Sequence, residues 1–316
     1  MTFAKSRTGK LKLIITLVLL AFIISSSCVI TFGSSISDSI PTWTEIGKAV
    51  GVYDGTSVIQ RDRLSVHVMD IEKSDSIFIN FNDYNILIDA GDTSSENHTT
   101  TYLKRCGIEK LNLLVATHPD ADHVHEIPSI LENFEVERYW TCPLEDYNKP
   151  KSALHDNIDE LLDKKNIPIT YVESGYEFSL GEIKLHVIAP VGKYSGTNNN
   201  SVVIKLEFRD TSWLFCGDIE EAAENDILAN DIDIDADVIK IAHHGSNSSS
   251  SEEFLKAVSP AIAVISTSKT SNLPNNTVLK RLEDLDTRTF ITEYDGQIVL
   301  YTSGDKISVE AFDYGK

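Results

Sequence analysis

Cysteine is scarce in this chain, and the few present form no pattern. Cys28, Cys106, Cys142 and Cys216 match neither a zinc-finger nor a CxxC spacing. Cys28 lies inside an N-terminal apolar run. That leaves an odd number for the folded part and argues against a disulfide framework, so buried or half-buried free thiols are expected. Basic charge is short as well. The chain has 28 Lys and Arg against 48 Asp and Glu, a net charge of −20. Such a field repels polyanions and favours solubility. No Lys/Arg cluster with interleaved aromatics is visible; Lys240, Lys256, Lys269, Lys280 and Arg281 are scattered and read as ordinary surface. Both facts argue against a surface that grips long DNA by itself. From about Val58 onward there is no low-complexity break and no internal repeat. With 41% hydrophobic and 24% charged residues, the composition is that of a globular protein with a real core.

The N-terminus has its own character. Residues 1–12 carry Lys5, Arg7, Lys10 and Lys12 and no acid, and Leu11–Phe32 then has one charge, Lys12, at its edge. A basic stretch before an apolar helix keeps its positive end on the cytoplasmic side and directs the rest of the chain outward. Residues 1–33 are therefore read as a signal peptide or a single transmembrane anchor, with lipidation of Cys28 a third fate. Residues 34–57 read as a polar linker, and 58–316 as one catalytic domain on the extracellular face of the membrane or secreted.

Within 58–316, short β-rich runs alternate with helical stretches. Leu64–Ile71, Ser76–Asn80 and Asn85–Asp89 read as strands, the last two joined as a hairpin through Asn82-Asp83-Tyr84. Further strands are expected at Leu113–Thr117, Val136–Thr141, Ile169–Val172, Lys184–Ile188, Val202–Phe208, Ser212–Cys216, Val238–Ala242, Ala261–Thr267, Thr289–Thr292 and Gln297–Thr302. Helices are expected at Thr99–Cys106, Ile127–Asn133, Asn157–Lys165, Glu220–Ala229, Ser251–Val258 and Asn276–Leu285. Hairpins first, then strand–helix pairs, point to an α/β fold with two sheets flanked by helices.

Several expected strands end in side chains that bind metal. The buried run Leu113–Ala116 leads into Thr117-His118-Pro119-Asp120-Ala121-Asp122-His123, read as a loop Pro119–Val124. Imidazole and carboxylate together suit Zn, Mn or Fe. Leu214-Phe215-Cys216 ends at Gly217-Asp218, a carboxylate placed to bridge two metals. Val238–Ala242 ends at His243-His244-Gly245-Ser246. Asp89-Ala90-Gly91 closes the third strand, where Asp89 either orients a metal-bound histidine or caps the turn. Rigid scaffolds present function on loops at strand ends, and joint specificity far exceeds that of any one segment.

These segments resemble the metallo-β-lactamase superfamily. The closer likeness is to the β-lactamase-like domain of ComEC-type competence proteins and their stand-alone relatives. That group reads T/S-H-x-D-x-D-H, as Thr117–His123 does. Its D-V-G-Q-G-D-S turn is matched by Asp70-Ile71-Glu72-Lys73-Ser74-Asp75-Ser76 at Asp70, Asp75 and Ser76 only. L-I-D-A-G is matched by Leu87–Gly91, N-N-x-S-V-V by Asn198–Val203, L-x-x-G-D by Leu214–Asp218, H-H-G-S by His243–Ser246 and T-x-x-D-G by Thr292–Gly296. Three further features depart from the pattern, one of them Leu273-Pro274 where His-Pro is frequent near the last helix. Val124-His125-Glu126 stands where an aliphatic residue and two glycines are usual, so extra side chains there would narrow the cleft or add a ligand. Asn198–Asn200 occupies the place of the superfamily's third-motif histidine.

The resemblance implies a four-layer αβ/βα sandwich and two divalent ions, Zn or Mn. His118, Asp120 and Asp218 would hold one ion. Asp122, Asp218 and either His243 or His244 would hold the other, with His123 an additional ligand. Asp122, His244, Ser246 and Asn199 are the expected catalytic set. Two cations lower the pKa of a bridging water and make hydroxide at neutral pH. Hydrolysis of a phosphodiester (DNA, nucleotide or cell wall) is the expected activity, with the N-terminal segment at a membrane and no protein partner evident. The rival readings are a catalytically weak extracellular metal-binding recognition domain and a carboxylic ester or lactone hydrolase.

Overall fold

The computed structural model describes residues 62–91, 97–146 and 148–312, all within the unit Val58–Lys316. The N-terminal anchor or signal segment, the linker and Cys28 lie outside the described residues.

The hairpin forms from β2 (Ile77–Phe81) and β3 (Tyr84–Ile88), and β1 (Leu64–Val68) pairs antiparallel with β2. Asn82 at the turn takes φ 53°, a left-handed conformation that asparagine tolerates better than most residues. After the helix α1 (His98–Arg105) come β4 (Lys110–Leu111), β5 (Leu113–Ala116), α2 (Ala121–Val124), α3 (Ile127–Asn133), β6 (Glu135–Val136) and β7 (Tyr139–Thr141). Next are α4 (Ala153–Lys164), β8 (Ile169–Tyr171), β9 (Glu177–Leu180), β10 (Ile183–Ala189), β11 (Val203–Phe208) and β12 (Thr211–Phe215). The last third runs α5 (Glu221–Ala229), β13 (Val238–Lys240), α6 (Glu252–Val258), β14 (Ile262–Ile265), α7 (Asn276–Asp284), β15 (Arg288–Ile291), α8 (Thr292–Asp295), β16 (Gln297–Thr302) and β17 (Ile307–Phe312).

Eight strands form one sheet in the order β17-β16-β1-β2-β3-β5-β7-β8, and seven form a second in the order β15-β14-β13-β12-β11-β10-β9. Strand periodicity shows how the sheets are covered. Along β2, Ile77, Ile79 and Phe81 face a shared core that also takes Trp213 and Phe215 of β12. Phe78, between them, packs instead with Ile127, Ile130 and Leu131 of α3 and Leu161 and Leu162 of α4. In the second sheet Leu214 and Ile239 turn outward to meet Ile227, Phe254, Leu255 and Leu282 on α5, α6 and α7. Three apolar layers separate helices, sheet, sheet and helices. This is the four-layer αβ/βα sandwich, with alternate side chains of each strand serving two interfaces.

The structure departs from expectation in several places, among them β9 and β17, which the sequence does not signal. Val136–Thr141 is not one strand: β6 pairs with β4 in a separate two-stranded sheet, while β7 pairs with β5 and β8. The break lies at Glu137-Arg138, whose backbone bonds Leu111 O and Leu114 N in turn. Pro119–Val124 is loop only as far as Asp120, because α2 winds its second half into one helical turn. Lys240 is not surface: it is buried with its ammonium 2.9 Å from Asp75 Oδ2, and Arg281 donates to the Ser249 and Ser250 carbonyls. Cys106, Cys142 and Cys216 are thiols rather than disulfides, the latter two buried.

The parallel strands β3, β5, β12 and β13 run the same way within their sheets. Their C-terminal ends carry Asp89, the His118 segment, Asp218 and the paired histidines, and these meet at one edge of the sandwich.

Candidate metal centre

The left-handed turn at Asp89 (φ 59°) points its carboxylate at the end of β5. One oxygen accepts the Thr117 N–H at 2.8 Å, and the other accepts the Thr117 hydroxyl and His123 Nδ1, each at 2.8 Å. Asp89 therefore does both things that its position suggests: it ties the turn and it fixes a histidine ring. The Thr117 hydroxyl donates to Asp89, so His118 Nδ1, 3.2 Å from that hydroxyl, is the donor there. His244 Nδ1 lies 3.1 Å from the Ser266 carbonyl, which can only accept. These contacts leave Nε2 as the free ligating nitrogen of His118 and His244.

Those free nitrogens converge. His118 Nε2 and His244 Nε2 lie 3.9 and 3.8 Å from Asp218 Oδ2, and His123 Nε2 lies 3.2 Å from Asp218 Oδ1. His244 Nε2 is also 3.6 Å from Asp122 Oδ2. All three Nε2 atoms and Asp218 Oδ1 are buried without a hydrogen-bond partner. Buried polar atoms are nearly always satisfied, so a cluster of orphans facing one point is a donor set that fits a cation. Among the described residues three groups are compact enough to hold one: His118, His123 and Asp218; Asp122, His123 and His244; and Asp75, Asp89 and His123.

Local backbone explains the convergence. Gly217 takes φ 53°, and a Cβ there would meet Ser201 Cβ at 2.9 Å. Ser201 Oγ accepts the Asp218 N–H at 3.1 Å, so this close approach positions the central carboxylate. His243 and His244 both adopt left-handed backbone, φ 49° and 53°. That costs roughly 1–2 kcal/mol per residue and drives successive side chains apart. His244 turns into the cluster. His243 stays at the rim, 3.5 Å from Glu220 Oε1 and 3.9 Å from Asp218 Oδ2.

The remaining expected site residues are placed as follows. Asp120 is near His118, 3.8 Å from Nε2, with a side chain 43% exposed. Ser246 Oγ bonds Ser248 Oγ at 3.0 Å. Asn199 is turned away to cap a helix. Its Oδ1 accepts from the Glu220 and Ala223 backbone at the start of α5, and its Nδ2 donates to Glu220. Glu126 is no extra ligand either. It is buried and accepts the Thr99 and Thr100 N–H groups, capping α1. Lys73 is a site residue that sequence reasoning does not single out; its ammonium lies 2.7 Å from Asp122 Oδ2. Asp75, matched in the early motif but given no role there, holds buried Lys240 and stands 3.8 Å from His244 Nδ1.

Charge in the cluster is strongly coupled. Burial pulls His118 down to about 4, assisted by the neighbouring His123 charge. His123 goes the other way: burial opposes its charge, but Asp218 and Asp89 outweigh it and raise the ring well above its usual range. Asp218 is held well below the carboxylate range against the pull of burial, by His123, His244 and His118.

Two outcomes are expected. A cation can reach His123 Nε2 only after that nitrogen loses its proton, so affinity for divalent metal rises with pH and binding releases protons. Calorimetry in two buffers of different ionisation enthalpy reads the release; pH-independent affinity without it contradicts the geometry. Asp89→Asn removes the charge that orients His123 and is expected to weaken metal binding about 10- to 100-fold. Metal titration checks this, and an unchanged affinity would mean that His123 needs no support.

The chain belongs to the Metallo-beta-lactamase superfamily, whose sequence profile matches residues 70–269. Over 254 residues it is 29% identical to ComE operon protein 3 of Bacillus subtilis, covering 74% of this chain and 32% of that protein. It is 24% identical over 253 residues to Recombination protein 2 of Haemophilus influenzae, covering 78% of this chain and 30% of the relative. The chain thus spans about a third of the length of these two relatives. Among solved structures, CmlA, a diiron beta-hydroxylase from Streptomyces venezuelae, matches with a TM-score of 0.54 at 12% identity over 83% of this chain and 60% of that one. The metallo-beta-lactamase fold protein YhfI from Bacillus subtilis matches with a TM-score of 0.52 at 9% identity, covering 76% of this chain and all of its own. These likenesses are of fold. The fold binds divalent metals and has a metal-dependent, hydrolase-like character.

Proposed function

We propose that this chain is a metal-dependent hydrolase of phosphodiester bonds, working outside the cytoplasm. The observation that carries the metal reading is the convergence of His118, His123 and His244 Nε2 on Asp218, all buried and without partners. His118, Asp120 and Asp218 are assigned to one ion, and Asp122, His123, His244 and Asp218 to the second. Zn and Mn both suit that donor set, with the carboxylates favouring the harder ion. When bound, the ions would lower the pKa of a water and polarise a phosphoryl oxygen.

The chain's own residues do the positioning. Asp89 and the Ser266 carbonyl lock the rings of His123 and His244. Ser201 holds the loop of Asp218. His243 and Ser246, at the rim, are the groups to meet a leaving oxygen or a phosphoryl oxygen. Asn199 supports this rim from behind by fixing Glu220. The substrate class is drawn from the likeness to competence and recombination proteins, and DNA, a nucleotide or a cell-wall phosphodiester all present the same bond. The net charge of −20 favours short or metal-attracted substrates over a long duplex held by the surface. The basic-then-apolar N-terminus supports a membrane anchor or secretion; no described helix is long and apolar enough to cross a membrane.

The test is turnover of bis-p-nitrophenyl phosphate, p-nitrophenyl acetate and nitrocefin by the metal-loaded chain and by Asp122→Ala. Phosphodiester hydrolysis that falls by roughly a thousandfold in the variant, a loss of about 4 kcal/mol, supports the reading. Turnover of the carboxylic ester or nitrocefin without the diester would replace it, and no turnover with any of several metals would leave a binding domain.

A further inference from the structure

We propose that Lys73 is a specificity-determining residue that reads the negative charge of the substrate's phosphate. The inference rests on the phosphodiester reading above and names the group that makes an anionic substrate acceptable.

The site as built is rich in carboxylates: Asp89, Asp120, Asp122 and Asp218 gather at one edge. The ions assigned above would offset much of that charge; a cationic side chain beside the site adds positive charge that does not depend on them. Lys240 cannot serve. It is buried, and its ammonium is held by Asp75 Oδ2 at 2.9 Å and the Ile241 carbonyl at 3.1 Å. Lys73 is different on each count. Its side chain is 37% exposed, yet its ammonium is fixed 2.7 Å from Asp122 Oδ2. It therefore meets solvent while tied to a carboxylate of the cluster.

The tether is more than a surface ion pair. Lys73 lies in the turn between β1 and β2, and that turn is pinned to the His118 segment through the backbone. The Asp75 N–H donates to the Asp122 carbonyl at 2.9 Å, and the Gly91 N–H donates to the Asp75 carbonyl at 3.0 Å. The stem of Lys73 thus starts from a fixed point two residues from that anchor. An ammonium has three donors. One is used on Asp122, which leaves others for a phosphoryl oxygen in a charge-assisted hydrogen bond. A neutral carboxylic ester carries no formal charge for this group to read. Lys73→Gln keeps a donor to Asp122 while removing the charge.

The experiment compares the metal-loaded full chain with its K73Q and K73R variants. Calorimetry measures the Kd of inorganic phosphate, mass spectrometry measures metal per chain, and kinetics give kcat/KM for bis-p-nitrophenyl phosphate relative to p-nitrophenyl acetate. Loss of one charged hydrogen bond predicts phosphate binding about 10- to 100-fold weaker in K73Q. The diester-to-ester ratio should fall in parallel, K73R should recover both, and metal content should not change. Wild-type phosphate affinity in K73Q overturns the proposal. Metal content falling in step with phosphate affinity also overturns it, because Lys73 would then act only by holding Asp122. If the wild-type chain binds metal but neither binds phosphate nor cleaves the diester, the phosphodiester reading itself has failed, and the role of Lys73 with it.

Discussion

An Asp218→Asn protein is expected to fold, to lose bound divalent metal and to lose at least a thousandfold in turnover, roughly 4 kcal/mol. Asp218 is the residue on which the cluster closes. Its two oxygens lie 3.2 Å from His123 Nε2, 3.8 Å from His244 Nε2, and 3.9 Å from the Nε2 atoms of His118 and His243. A unit charge about 4 Å from another contributes about 4 kcal/mol at an effective dielectric of about 20, and a dication in the same place depends on it more. Without metal the consequence is milder. His123 is raised by Asp218 and Asp89, so removing one carboxylate lets the ring shed its proton rather than remain as an uncompensated buried charge. Circular dichroism should show a folded protein while mass spectrometry shows lost metal. A variant that keeps both ions and its activity would remove Asp218 from the centre of the cluster.

Gly91→Ala is expected to cost about 4 kcal/mol of stability. A chain of this size should then lose about 10 °C in Tm. The cause is contact with backbone. A Cβ on Gly91 would stand 1.7 Å from the Asp122 carbonyl oxygen, 2.1 Å from its carbon and 2.6 Å from the His123 nitrogen. No rotamer change relieves that. The end of β3 or the segment carrying Asp122 and His123 must move, although Ala90 N–H and Asp75 N–H bond the carbonyls of His123 and Asp122. Metal affinity should fall with stability, because the ligands move with the backbone. Gly107→Ala is the control. Nothing lies within 4 Å of its Cβ, and only its φ of +71° is unfavourable, so about 1 kcal/mol is expected. Equal melting shifts in the two variants would contradict the close approach at Gly91.

The inner strands are plain in the sequence, and two of the four edge strands of the large sheets are obscure. β2, β3, β5, β12 and β13 are apolar because both their faces are covered, and their expected bounds lie near the observed ones. β9 and β17, at the sheet edges, alternate with solvent and carry no signal that separates them from loop. The split between β6 and β7 is hidden because Val136, Tyr139 and Trp140 read as one strand, while the two halves have different partners.

The same division holds at the site. The residues that converge on Asp218, namely His118, His123 and His244, sit in short, dense motifs that are legible in the sequence. The roles of residues behind them depend on where other elements arrive. Asn199 and Glu126 look like site groups, yet each caps a helix that the chain brings alongside. Lys240 looks like surface because a lysine in sequence does not reveal that Asp75 waits for it across the fold. Lys73 breaks a motif, and that break is the only sign of it in the sequence.

The central proposal, that the His118–His123 segment, Asp218 and His244 hold divalent metal at one centre, is tested most directly by counting metal ions. Mass spectrometry gives the number per full-length chain for the wild type and for His244→Ala and His243→Ala separately. Two ions are expected in the wild type, loss of at least one in His244→Ala, and full retention in His243→Ala. A wild-type chain without tightly bound metal, or one that loses its metal through His243 and not through His244, would contradict the claim.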